Sequence, residues 1–129
     1  MKTILPEGWP RPKGYANGIV AEGKLLFIAG QIGWNEREEF ESDDFVAQVE
    51  QALKNIVAVL NAAGGKPEHI ARLTCYVTDK KEYLSRLADV GAAYRRTLGS
   101  VFPTMSLVQV VALVEDRAKV TIEATVVTH

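Results

Sequence analysis

The chain has 129 residues, of which 47% are hydrophobic and 24% charged, the balance of an ordinary globular domain rather than of a disordered, collagen-like or membrane chain. Fifteen Lys and Arg against sixteen Asp and Glu leave a net charge of −1, so no overall field draws the protein to phosphate backbones or anionic lipid, and neither nucleic acid nor a membrane is an expected partner. One cysteine, Cys75, and two histidines, His69 and His129, exclude an intrachain disulfide and a multi-cysteine zinc site; no metal and no cofactor is expected.

The first segment, through Gly14, carries Pro6, Pro10 and Pro12 without apolar periodicity and predicts an extended arm lying over a neighbouring surface. Lys2 followed soon by Pro6 does not make a secretion signal, and no run approaches the roughly 20 apolar residues of a membrane span, so the expected compartment is the cytoplasm. Ile19-Val20-Ala21, the turn signal Glu22-Gly23 and Leu25-Leu26-Phe27-Ile28-Ala29 predict a two-stranded hairpin. Gly30 and Gly33 then punctuate a loop holding Gln31, Ile32 and Trp34, followed by an acidic stretch from Glu36 to Asp44.

Phe45, Val49, Ala52, Leu53, Ile56, Val57, Leu60 and Ala63 recur every three or four residues, which predicts a long amphipathic helix stopped by Gly64-Gly65 and Pro67. Ile70 to Val77 alternates as a strand, and Tyr83, Leu84, Leu87, Val90, Tyr94 and Leu98 predict a second helix closed by Gly99. Two further strands, Met105 to Leu113 and Lys119 to Val127, are joined by the polar turn Glu115-Asp116-Arg117.

The predicted order is ββαβαββ in one α+β domain spanning residues 1–129, with both helices on one face of a single mixed sheet. The strand from Met105 is apolar on both sides, and two helices cover only one face. The second face is therefore expected to meet another copy of the chain.

Four segments carry a resemblance: Gly14-Tyr15-Ala16-Asn17-Gly18, Phe27-Ile28-Ala29-Gly30-Gln31-Ile32, Tyr76-Val77-Thr78-Asp79, and Phe102-Pro103-Thr104-Met105-Ser106 with Val120-Thr121-Ile122-Glu123-Ala124. In this order, and spread over nearly the whole chain, they resemble the RidA (YjgF-type) family. The resemblance implies a chorismate-mutase-like fold, a homotrimer with a central barrel, and ligand clefts between adjacent subunits.

It also implies roles for single residues. Deaminases of the family place an arginine two residues after the late-strand proline, to clamp a substrate carboxylate, and here that position is Met105. A thioether supplies neither the planar fork nor the charge, so the usual small acidic enamines are not the expected substrates. Arg95 or Arg96, at the end of the second helix, either substitutes for that arginine or is only a solvated helix terminus. Glu123 matches the late-strand glutamate thought to position the attacking water; its alternative is a solvent-facing strand residue. Tyr15 matches a cleft tyrosine, or packs the arm to the body. Gly30 matches a glycine whose backbone approaches the ligand, or ends a strand. Trp34 and Phe102 give the cleft apolar walls or are simple packing, and Thr104, Met105 and Ser106 complete its expected lining. Gly91 and Leu107 stand where many members have asparagine and cysteine, and Cys75 reads as a small core residue.

Two functions follow. One is a RidA-like hydrolase in which Glu123, with Tyr15, directs water onto an imine, an enamine or a related bond. The other is a non-catalytic trimer that binds a small, largely apolar metabolite. Nucleic-acid cleavage, a third activity attached to family members, finds no basic stripe here.

Overall fold

Asp44 opens the long helix α1 (Phe45–Ala62): its backbone is extended, and its carboxylate accepts from the Ala47 N–H at 3.0 Å, satisfying one of the first-turn donors that a helix leaves without an internal partner. In the computed structural model, which describes residues 1–128, the expected stripe faces inward. Phe45, Val49, Ala52, Leu53, Ile56 and Leu60 are buried, and Val57 packs against them. Each large side chain so buried contributes roughly 1.5–3 kcal/mol of transfer free energy. Gly64, at φ +76°, ends the helix in the left-handed region, and Pro67 opens a single 3-10 turn, Pro67–His69. His129 lies outside the described residues.

The remaining elements are β1 (Lys2–Ile4), β2 (Gly18–Val20), β3 (Lys24–Ile32), β4 (Ile70–Val77), α2 (Lys80–Ser85), α3 (Leu87–Leu98), β5 (Thr104–Gln109) and β6 (Val120–Thr128). The main sheet is mixed, in the order β3-β6-β4-β5, with only β4 and β5 parallel. α1 and α3 pack together over one face, against Ile28, Leu73, Cys75, Val77, Val120, Ile122, Ala124 and Val126. The α+β class with helices on one face of a mixed sheet is as expected.

Four details differ. Lys2–Ile4 of the arm is a strand, and it pairs with β2 instead of lying over the body as an unpaired extension. β2 and β3 consequently do not form the expected hairpin: β2 belongs to a separate two-stranded ribbon, while β3 pairs with β6. The second helix is broken at Arg86, whose φ of −124° is not helical, into α2 and α3. β5 stops at Gln109 rather than Leu113, because its partner β4 ends at Val77 and leaves no ladder to continue. Beyond it, Val111 and Val114 are fully exposed.

Ion pairs tie α1 to its neighbours: Asp44 to Arg86 and Glu50 to Arg96. The Ala47 N–H and then Arg86 hold the Asp44 carboxyl below its ordinary 3.8, and Arg96 holds Glu50 below 4.5. Depressed carboxyls contribute stability that is present above their unfolded values and is lost as pH falls through the folded ones. Denaturant midpoints are therefore expected to be level from pH 7 to 5 and to drop below about pH 4.5. Both pairs are solvent-exposed, so added salt should reduce the loss.

Candidate functional site

The face of the sheet opposite the helices is uncovered. β3 presents Leu25 and Phe27 there, 60% and 71% exposed, and β5 presents Val108 at 46%. Among these apolar side chains lies a polar row fixed by strand register: Ser106 of β5 is opposite Thr74 of β4, which is opposite Glu123 of β6. The Tyr76 hydroxyl donates to Glu123 Oε1 at 3.3 Å. The negative charge of Glu123 is the main cause that raises the Tyr76 phenol above its ordinary 10.0, so this donor stays protonated at neutral pH. Glu123, Arg72, Thr74, Thr125 and Phe27 share an open depression of about 360 Å³.

The expected site residues separate into groups. Glu123 and Ser106 share the open face. Gly30 lies along it in β3, and a Cβ there would sit 2.6 Å from Thr121 Oγ1, so any side chain at this position would force that hydroxyl to move. Tyr15 and Phe102 line a second groove, with Trp9 and Leu5. They are brought together because the Ala16 N–H donates to the Pro103 carbonyl at 3.0 Å and Ala16 bridges Thr104. Thr104 is half-buried and its Oγ1 donates to the Ala71 carbonyl at 2.8 Å.

Trp34 is remote from Phe102 and Met105 in its contacts. Its ring tilts against Phe40 at 5.9 Å, and its carbonyl accepts from Asn55 at 2.7 Å. Met105 points to the helix side, where it lines an apolar cavity of about 50 Å³ with Leu107, Tyr83, Val90 and Tyr94. Strand alternation explains this: the neighbour of an outward Ser106 must face inward. Neither late-helix arginine reaches these residues in the described contacts. Arg96 Nε bonds Glu50 at 2.9 Å, and Arg95 is exposed on α3. Cys75 is buried, and burial pushes its thiol up to about 12, which leaves it inert as a nucleophile. Among the described residues, no group of three or more His, Cys, Asp or Glu is placed to hold a metal ion.

Arg72, Tyr76 and Thr121 were not singled out by sequence reasoning. Their signal was positional: once Glu123 is assigned to one face of β6, the register partners on β4 follow, but pairing between strands about 50 residues apart is not visible in a single sequence.

An α+β protein with a bare, mixed apolar and polar sheet face is thus the class defined by this geometry. The sequence profile described as Endoribonuclease L-PSP matches residues 10–128. A curated 2-iminobutanoate/2-iminopropanoate deaminase of Escherichia coli is 34% identical over 127 residues, covering 95% of this chain and 94% of its own. A crystal structure of a Yersinia pestis protein of unknown function, from the conserved Rid family, superposes with a TM-score of 0.86 at 31% identity, covering 98% of each chain. The YjgF gene product of E. coli superposes with a TM-score of 0.70 at 35% identity over 100% of both chains. The chain belongs to the RidA (YjgF/RutC) family. No helix among the described residues is long and apolar enough to cross a membrane.

Proposed function

We propose that the protein is a cytoplasmic, homotrimeric RidA-type hydrolase that deaminates a small imine or enamine at a cleft completed by a second copy of the chain. One observation carries this reading: Glu123 is an ionisable carboxylate held by Tyr76 on a sheet face that is otherwise rich in exposed apolar side chains. Such a face is costly in water and becomes a dry, partly polar site when another copy covers it. Apolar surroundings strengthen the hold of a carboxylate on a water molecule.

The reaction balances without a cofactor. Water adds to the imine carbon as Glu123 takes up one of its protons and passes it to nitrogen; the tetrahedral intermediate then collapses to a carbonyl as its hydroxyl proton also moves through Glu123 to nitrogen, which leaves with both as ammonia. Tyr15, Gly30, Phe102, Thr104 and Ser106 remain the proposed lining of the cleft. Met105 in place of a carboxylate-clamping arginine argues against the acidic substrates of the curated relatives being bound in the usual way. The family profile's ribonuclease description finds no support in a chain of net charge −1.

Solution mass and turnover test the reading together. The expected results are a particle near three times 14.2 kDa and release of ammonia from amino-acid-derived imines. A lone 14.2 kDa subunit, or no turnover of any imine by the trimer, would reject it.

The apolar cavity beside Met105 favours the second reading, a non-catalytic binder of an apolar metabolite. Its volume of about 50 Å³ is well below the roughly 300 Å³ at which ligand pockets begin, which places this reading second. Thermal stabilisation by apolar metabolites without turnover of imines would reverse that order.

A further inference from the structure

The break at Arg86 leaves α2 as a separate helix of six residues, none of them buried. Its apolar side chains divide: Tyr83 packs against the core, whereas Leu84 is 58% exposed. So short a helix is held by its surroundings and not by its own hydrogen bonds. Those surroundings are polar and open to water. Asp79 caps α2 by accepting from the Lys81 and Glu82 N–H groups, the Lys80 N–H donates to Gln109 Oε1 at 2.8 Å, and Lys119 Nζ lies 3.6 Å from Glu82. Arg86 closes the far end on Asp44. Exposed contacts of this kind are individually weak, which puts α2 among the least stable parts of the molecule.

Beneath α2 lies the apolar cavity of about 50 Å³ beside Met105. Tyr83 is the wall that α2 contributes, and the others come from α1, α3 and the strands β4 to β6, among them Phe45, Cys75 and Tyr94. The Tyr83 ring meets Phe45 edge to face at 6.4 Å between centroids. Withdrawing that ring enlarges the void toward the roughly 150 Å³ in which an apolar core holds benzene.

We propose that α2 is a gate, hinged at Asp79 and Arg86, that opens to admit a small neutral aromatic molecule into the helix-side cavity in place of the Tyr83 ring. The ligand class follows from the walls. No charged side chain lines the cavity, so an ionic ligand would lose its hydration without gaining a partner, whereas a phenol-like ring matches the group it displaces. The site is on the sheet face opposite Glu123, and its failure leaves the proposed reaction untouched.

Cys75, the single cysteine, lines the cavity and reports on it. Burial holds its thiol up at about 12, so methyl methanethiosulfonate, small and uncharged, labels it only when the gate is open. In the full-length protein, labelling followed by mass should depend on urea far less steeply than global unfolding does. Glu82→Gln combined with Gln109→Ala, two changes outside the core, should speed it about 5- to 20-fold. The ligand probe is p-cresol, the side chain of tyrosine as a free molecule. At ten times its dissociation constant it should slow labelling about 10-fold and at the same time speed amide exchange from Lys81 to Arg86, because it shields the thiol while holding α2 away. Labelling with the full urea dependence of unfolding, a double variant that labels no faster than wild type, or any effect of p-cresol other than this opposed pair would overturn the proposal.

Discussion

Glu123→Gln is expected to lower the turnover number for imine hydrolysis by about 10²- to 10⁴-fold, equivalent to roughly 3–5 kcal/mol of activation free energy, with little change in KM. The amide keeps the size and a hydrogen-bond acceptor but takes up no proton, so water is still held and is no longer activated. A second readout separates this role from a structural one. Because the Glu123 charge is the first cause raising the Tyr76 phenol, the variant should ionise Tyr76 at lower pH, seen by ultraviolet titration. The sign is fixed by linkage: a phenol raised in the folded state contributes stability below its unfolded value and loses it as pH rises through the folded one. In the wild type the Tyr76–Glu123 bond therefore persists to above pH 10, the ordinary phenol value. Turnover within a factor of three of wild type, with the phenol shifted as expected, would remove Glu123 from the chemistry while confirming its contact.

Periodicity carried much of the fold. The α1 stripe and the alternating run Leu73–Val77 were readable because each has a buried face repeating at its own period. The failures in the strands share a cause, which is pairing between distant segments. Glu22-Gly23 looked like a hairpin turn, yet β2 has its ladder with β1 and β3 with β6; a turn signal fixes a change of direction and not the partner. A register shift between Ile70, which pairs with Val126, and Arg72, which pairs with Thr125, was hidden likewise, since Arg72 in a run of alternating residues carries no mark of the face it reaches. The site was legible only in part. Glu123 and Ser106 share a face, whereas Met105 points into the helix side and Trp34 packs on Phe40, positions decided by register and loop path that residue types do not encode.

The strongest effect on stability is expected at Gln48, a buried polar side chain 1% exposed at the junction of α1, the preceding loop and the start of β6. Its amide nitrogen donates to the Ser42 and Arg117 carbonyls at 3.1 and 3.0 Å, and its oxygen accepts from the Lys119 N–H at 2.8 Å. One amide thus satisfies three backbone groups from segments about 70 residues apart. Gln48→Leu preserves volume and leaves those three groups without a partner, at about 1–3 kcal/mol for each that water cannot reach. With the loop carbonyls partly hydrated, the expected loss is about 3–5 kcal/mol, a large share of the 5–15 kcal/mol typical of a domain. Gln48→Glu is the control: it keeps the acceptor oxygen but replaces the donor nitrogen with a second acceptor, and should fall between wild type and Leu at low pH, where its protonated form donates once. The backbone of Gly33 presses on the same helix turn, where a Cβ would lie 2.5 Å from that of Gln48, so neither leucine nor glutamate can relax toward the loop. Urea denaturation checks the order; a Leu variant within 1 kcal/mol of wild type would show that packing alone docks α1 onto β6, and that the three hydrogen bonds accompany the contact without fixing it.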